Sequence, residues 1–190
     1  PSTTDKDTAR IDAALDALLA EFDPKKVDNI TFRGARFDRG LAWVHFPTGH
    51  GGLDMRPDLN SHVEERLRAA GAASQDPATF FIALAGPTIV THGSDEVKKR
   101  FLRPMFTGEE KWCQLFSEPG AGSDLAGLGC RAVRDGDEWV INGHKWFISG
   151  ARGAQFALLV ARTEDNPDLP QAANSCFIVD IPSEGFNIVR

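Results

Sequence analysis

Several residue types are scarce in this sequence, and each absence excludes a class of function. Tyrosine is missing from all 190 residues, which removes any chemistry that needs a phenol as an acid or a nucleophile. The three cysteines stand far apart, which fits neither a disulfide framework nor a CxxC zinc site, so we expect buried free thiols. The five histidines form no HExxH motif, and we predict no metal site.

Long apolar runs and a surplus of positive charge are lacking as well. No stretch approaches the roughly 18 to 20 apolar residues of a membrane helix, and the first residues contain no apolar signal region. We therefore expect a soluble intracellular protein without a membrane span. The net charge is −6 and the basic residues are scattered, so we do not expect a nucleic-acid partner.

Helical periodicity dominates the first part of the chain. Apolar residues between positions 11 and 22 repeat at three- and four-residue spacing, which is typical of an amphipathic helix. Residues 23–57 are rich in proline and glycine and predict a long connection with one short helix near residues 41–44. Further helices are predicted over residues 58–71, from the Asp76-Pro77 cap, and from the Ser94 cap to about Pro104.

From residue 112 the period changes to two, which indicates antiparallel β-structure. Asp135-Gly136 and Asn142-Gly143 are typical of two-residue turns and predict a three-stranded meander. The predicted strands cover residues 112–116, 130–134, 138–141, 145–149, 156–162, 176–181 and a last segment from 186. The predicted fold class is α+β, with an N-terminal α-helical bundle domain over 1–111 and an incomplete antiparallel β-barrel-like domain over 112–190.

Two motifs in the second part carry the functional prediction. Residues 117–124 (SEPGAGSD) place small residues at a strand exit, where backbone N–H groups can approach a phosphate. Alone, this stretch is better explained as a tight turn between strands, because it has neither a Rossmann nor a P-loop spacing. With residues 141–149 (INGHKWFIS) at this separation, it resembles the acyl-CoA dehydrogenase family, whose members carry a TEPGAGSD loop and an INGxKxWIT hairpin. The resemblance extends through residues 76–107 upstream and 156–190 downstream.

The resemblance implies that the sheet domain holds FAD against an acyl-CoA substrate. Phe116 and Ser117 are then expected to contact the isoalloxazine ring. Gly122 and Ser123 are expected beside the flavin pyrophosphate and the thioester end of the substrate, where small size and backbone donors matter.

The second motif supplies the remaining flavin contacts that the resemblance implies. Phe147 stands where the family usually has tryptophan over the ring, and Ile148 and Ser149 follow with donors directed at flavin N5. Ser117 and Ser149 replace threonine and keep the hydroxyl, while Phe147 keeps an aromatic face but loses an indole N–H. We expect these departures to tune flavin binding rather than abolish it.

The implied reaction is α,β-desaturation of an acyl thioester, in which a carboxylate removes the α-proton and the β-hydrogen leaves as hydride to the flavin. The acyl chain is expected against Ser123 and against the helix predicted from the Asp76-Pro77 cap, at Thr79, Phe80 and Ala83. No glutamate in this chain matches the family's catalytic base, so the resemblance implies that these residues are the N-terminal part of a longer flavoprotein. It also implies an electron-transfer flavoprotein or similar acceptor, a homo-oligomer, and a location in a bacterial cytoplasm or a mitochondrial matrix.

Three alternatives remain open from the sequence. An acyl-CoA oxidase or a flavin monooxygenase of the same fold shares the flavin motifs. The chain could instead be a non-catalytic subunit or interaction module of this fold that lacks the base. A plain α+β binding domain without a cofactor is the third alternative.

Overall fold

The chain divides into two compact units, residues 1–110 and 111–190, in a computed structural model that describes residues 3–73, 82–165 and 168–189. The helices of the first unit are α1 (Thr3–Glu21), α2 (Asn29–Asp38), α3 (Leu59–Ala69), α4 (Ile82–His92) and α5 (Asp95–Thr107). The strands of the second unit are β1 (Trp112–Leu115), β2 (Arg131–Asp135), β3 (Glu138–Asn142), β4 (Phe156–Arg162) and β5 (Asn174–Asp180). The α+β class is confirmed. The predicted Asp76-Pro77 cap lies outside the described residues.

Helices α1 and α3 confirm the helices predicted over residues 11–22 and 58–71. The apolar stripe of α1 is fully buried at Ile11, Leu15 and Leu18, and it belongs to the same core cluster as Val63 and Leu67 of α3. Burial of such stripes, rather than helix propensity alone, supplies most of the stability of helices in proteins. The periodic pattern was therefore sufficient to predict both.

Helix α2 lies inside the predicted connection, and the short helix predicted at residues 41–44 does not form. The Asp28 side chain caps α2 by accepting hydrogen bonds from the Thr31 backbone N–H at 3.0 Å and the Thr31 hydroxyl at 2.6 Å. Residues 41–44 instead form a turn, in which the N–H groups of Ala42 and Trp43 both donate to the Gly51 carbonyl. The proline and glycine residues around α2 led to the prediction of a loop. The helix is stabilised by the burial of six successive residues.

Helix α5 starts at Ser94 as predicted, and its side chain accepts a hydrogen bond from the Val97 N–H at 3.3 Å. The predicted stop near Pro104 is wrong, because the helix continues to Thr107. The last turn buries Met105 and Phe106, which offsets the hydrogen bond that Pro104 cannot make. Gly108 then ends the helix in the left-handed conformation, at φ +86°.

Strand β4 is the centre of the sheet, and the sheet is mixed rather than wholly antiparallel. Strand β5 pairs antiparallel with all of β4, from Phe156↔Asp180 to Arg162↔Asn174. Strand β1 runs parallel to β4, and β2 joins β4 at the single parallel pair Arg131↔Arg162. The antiparallel prediction holds for β2–β3 and β4–β5 and is wrong for β1–β4 and β2–β4, because parallel strands need crossover connections, which period-two patterning cannot distinguish from hairpins.

Only one hairpin of the predicted meander forms. Strands β2 and β3 pair antiparallel around Gly136, which has φ +61°. Residues 145–149 and the segment from 186 do not form the predicted strands. A hairpin at Asn142-Gly143 does not form, and Gly143 lies against Cys130, where an added Cβ would come within 2.5 Å of the sulfur. Cys113 and Cys130 are buried as expected, whereas Cys176 is exposed.

Candidate functional site

A tight turn follows β1 and presents small residues to solvent. The Glu118 N–H donates to the Ala121 carbonyl at 2.8 Å, and the Ala121 N–H donates back at 3.2 Å, with Pro119 and Gly120 at the tip. Ala121 is buried in the sheet core and fixes the turn. The following Gly122 is exposed, with no atom within 4 Å of the position a Cβ would occupy. A ligand can therefore approach this backbone closely.

Residues 145–149 lie directly beside this turn. The Trp146 N–H donates to the Ser117 carbonyl at 3.0 Å, which connects the two sequence motifs through the backbone. Ile148 is half-buried and packs against the sheet core. The motif that was predicted to be a strand is thus an irregular segment anchored at both ends.

Phe147 has an unusual conformation within that segment. Its φ is +53°, a region that bulky residues rarely adopt, and 86% of the residue is exposed. Its ring lies 4.6 Å from the Trp146 ring, centroid to centroid. Strain and apolar exposure at one residue both cost free energy, and such sites in proteins concentrate where a ligand is bound. The exposed ring offers a face for a planar aromatic group.

A buried ion pair joins the two sequence motifs. Lys145 Nζ lies 2.6 Å from Glu118 Oε1, and the two side chains are only 7% and 8% exposed. Lys145 also donates to the carbonyls of Phe116 at 3.0 Å and Val160 at 2.8 Å. These three bonds use all three protons of the ammonium group.

The Glu118 carboxylate is held in its charged form. Burial acts to raise the pKa of Glu118, but the hydrogen bond from Lys145 and those from the backbone of Gly129 and Cys130 outweigh it, and the pKa is lowered. Gly129 donates to Oε2 at 2.7 Å, and Cys130 donates to Oε1 at 3.1 Å. The carboxylate is therefore a fixed anchor and not a group poised to take up a proton near neutral pH.

The predicted flavin-contacting residues come from two adjacent segments. Phe116 and Ser117 are half-buried at the exit of β1, and Ser149 is exposed at the end of the second motif. Ser123 is exposed beside Gly122. Among the described residues, no side chain or backbone group hydrogen-bonds to the hydroxyls of Ser117, Ser123 or Ser149.

Of the predicted acyl-chain residues, Ser123 belongs to the sheet unit and the others to the first 110 residues. Ala83 is exposed on α4 in the helical unit. Thr79 and Phe80 lie outside the described residues. Their proposed role rests on the resemblance alone.

The residues of this site fit a flavin. A planar ring system needs an exposed aromatic face, which Phe147 provides, and a pyrophosphate needs open backbone, which Gly122 provides. Nothing in the described part of the chain clusters three or more histidine, cysteine or acidic side chains as a metal site requires. No described helix is long and apolar enough to cross a bilayer.

Sequence reasoning missed the roles of Glu118 and Lys145. Both stand inside the motifs, but they were treated only as part of the matching pattern. A signal was present: each motif places one long charged side chain next to apolar residues, Glu118 beside Pro119 and Lys145 beside Trp146, and the two charges are opposite. Such charges are rarely buried unless paired.

Family comparison places the chain in one family along nearly its whole length. Residues 11–109 match the acyl-CoA dehydrogenase N-terminal domain, and residues 113–190 match the acyl-CoA dehydrogenase middle domain. The chain therefore belongs to the acyl-CoA dehydrogenase family.

Individual relatives agree with this assignment. Acyl-CoA dehydrogenase FadE26 of Mycobacterium tuberculosis is 42% identical over 179 residues, covering 92% of this chain and 43% of that protein. A structure described as a probable acyl CoA dehydrogenase from Mycobacterium abscessus is 31% identical with a TM-score of 0.67, covering 99% of this chain and 51% of that one. The Tcur3481-Tcur3483 steroid ACAD G363A variant is 30% identical with a TM-score of 0.64, covering 94% and 50%. The chain spans 21% of the length of one curated relative and 37 to 43% of others.

Proposed function

We propose that this chain forms the flavin-binding part of an FAD-dependent acyl-CoA dehydrogenase that introduces an α,β double bond into an acyl-CoA thioester. The observation that carries the proposal is Phe147, which is exposed and held at positive φ beside an open glycine turn. Folding gains nothing from this arrangement, since it exposes an aromatic ring and strains the backbone. Binding of a planar cofactor accounts for both the exposed ring and the strained backbone of Phe147.

Each segment of the site has a task in this proposal. Phe147 offers its ring to the isoalloxazine, Phe116 and Ile148 provide apolar backing, and the hydroxyls of Ser117 and Ser149 donate hydrogen bonds to the cofactor. Gly122 and Ser123 receive the pyrophosphate through open backbone and a hydroxyl. FAD, when bound, supplies the hydride acceptor of the reaction.

The substrate side of the proposal rests on fewer observations. Ser123, Thr79, Phe80 and Ala83 are proposed to contact the acyl-CoA, and a carboxylate outside this chain is proposed to remove the α-proton. We propose an electron-transfer flavoprotein or similar acceptor, and a homo-oligomer as the working assembly, in a bacterial cytoplasm or a mitochondrial matrix. Family membership supports these points.

Absorbance spectroscopy of the intact protein tests the function. The purified protein is expected to carry a bound flavin that bleaches when one class of acyl-CoA is added without oxygen. The panel contains straight-chain, branched and steroid acyl-CoA thioesters, the last because one similar structure is named a steroid ACAD. Absence of flavin from a folded protein that also fails to bind added FAD would contradict the proposal.

Adding air to the bleached protein distinguishes a dehydrogenase from an oxidase or a monooxygenase. Slow re-oxidation of the bleached flavin, accelerated by an electron-transfer flavoprotein, is expected for a dehydrogenase. Rapid re-oxidation by oxygen would favour an acyl-CoA oxidase or a monooxygenase instead. Flavin binding without bleaching by any thioester would favour the non-catalytic subunit.

A further inference from the structure

The buried pair of Glu118 and Lys145 connects more of the chain than any other ion pair described in the sheet unit. Through its hydrogen bonds, Lys145 reaches the exit of β1 at Phe116 and the middle of β4 at Val160. Glu118 reaches the residues before β2 at Gly129 and Cys130. Four chain segments thus meet at one pair of charges, and two of them are the flavin motifs.

Stability alone does not account for such a pair. Removing two charges from water carries a large desolvation cost, and well-packed apolar residues of similar volume are often as stabilising or more so. An apolar pair would not fix the position of one motif relative to the other, because dispersion contacts are not directional. Three hydrogen bonds from one ammonium group allow only one placement of residue 145 relative to 116 and 118.

We propose that Glu118 and Lys145 are positioning residues, which hold the two motifs at the separation required for flavin binding. This inference rests on the proposed function and deepens it. Both side chains are buried, so their proposed role is to act through the residues that contact the flavin and not to contact it themselves. Loss of the pair would let residues 145–149 move away from the turn, although the single backbone bond from Trp146 to Ser117 remains.

The test uses a double variant, Glu118→Gln/Lys145→Met, in the intact protein. Single variants leave one buried charge without its partner and are expected to unfold or aggregate. The double variant removes both charges at similar volume and is expected to fold. Its matched control is Arg131→Met/Asp165→Asn, which removes an exposed ion pair of the same unit with side chains 51% and 70% exposed.

Two measurements are made on each protein, FAD affinity by fluorescence titration and hydrogen exchange of residues 116–123 and 145–149. In the double variant we expect faster exchange in both segments and FAD binding weaker by about tenfold to a hundredfold, by analogy with the range seen when groups that orient metal ligands are removed. The control is expected to match the wild type in both. The variant Lys145→Arg keeps the charge but is also expected to bind FAD more weakly than the wild type, because a planar guanidinium cannot direct three bonds around a compact centre.

Each outcome decides the inference. Unchanged exchange in the double variant, or unchanged FAD affinity despite faster exchange, would overturn it. A wild-type protein that binds no FAD would contradict the proposed function and overturn the flavin role of the pair. Hydrogen exchange would still show whether the pair holds the two segments, so the two failures are distinguishable.

Discussion

At the scale of single residues, the conformation of Phe147 lowers the stability of the fold and is proposed to serve flavin binding. We expect Phe147→Gly to be more stable than Phe147→Ala by about 1 kcal/mol, because glycine adopts positive φ without a steric penalty and alanine does not. Both variants should bind FAD more weakly than the wild type. Thermal unfolding and FAD titration measure the two effects. Equal stability of the variants would show that the backbone at residue 147 is not strained.

His45 gives the fold a dependence on pH. Its Nδ1 lies 2.9 Å from the side-chain nitrogen of Asn60, whose oxygen is already committed to the Val44 N–H at 3.0 Å. The Asn60 nitrogen is therefore the donor, and His45 must be neutral to accept. Desolvation also lowers the pKa of His45 below its ordinary value of 6.5.

Stability should consequently fall as the solution is acidified through pH 6.5, because the unfolded state binds the proton more readily than the folded state. Above this pH the contribution is fully present. We expect the melting temperature to drop less between pH 7.5 and 5.5 in His45→Gln than in the wild type. His92→Gln, at the exposed end of α4, is the control and should follow the wild type. A His45 variant as pH-sensitive as the wild type would contradict the argument.

At the scale of elements, the path of the chain after β3 depends on Gly143. A Cβ at this position would lie 2.5 Å from the Cys130 sulfur and 2.8 Å from its Cα, so backbone as well as side chain would have to move. We expect Gly143→Ala to lower the free energy of unfolding by about 1–3 kcal/mol through overpacking. Gly120→Ala meets no atom within 4 Å and should cost less. Equal melting temperatures for the two variants would contradict this.

The elements also show what sequence patterns can and cannot predict. Helices α1 and α3 were predicted because each buries a continuous apolar stripe with the helical period. Helix α2 was missed because its stability comes from burial on almost every side, which leaves no period to detect. The segment 145–149 has strand-like composition, yet the inward bond of Lys145 and the positive φ of Phe147 prevent extended structure. Contacts between distant residues decided both cases.

At the scale of the whole molecule, the motifs predicted the family, and the structure added how the motifs meet. The separation of SEPGAGSD and INGHKWFIS in sequence gave no indication that Glu118 and Lys145 pair beneath them. The mixed sheet was likewise not predictable, since the parallel pairing of β1 with β4 joins residues 44 positions apart, from Trp112 to Phe156. Local patterns specify faces and turns, whereas pairing across such distances depends on the completed core.

The distribution of flavin contacts leads to a prediction for the molecule as a whole. All seven proposed flavin-contacting residues lie in the unit of residues 111–190. A ligand that binds only the folded state, at about one hundred times its dissociation constant, stabilises that state by about 2.7 kcal/mol, and the proposed function predicts this effect for FAD. We expect hydrogen exchange with and without FAD to show protection of residues 116–123 and 145–149, and the melting temperature to rise with FAD concentration. Adenosine, which lacks both the isoalloxazine ring and the pyrophosphate, is the control and should protect neither segment. Protection confined to residues 3–73 would place the flavin elsewhere and contradict the site, because none of the proposed contacts lies there.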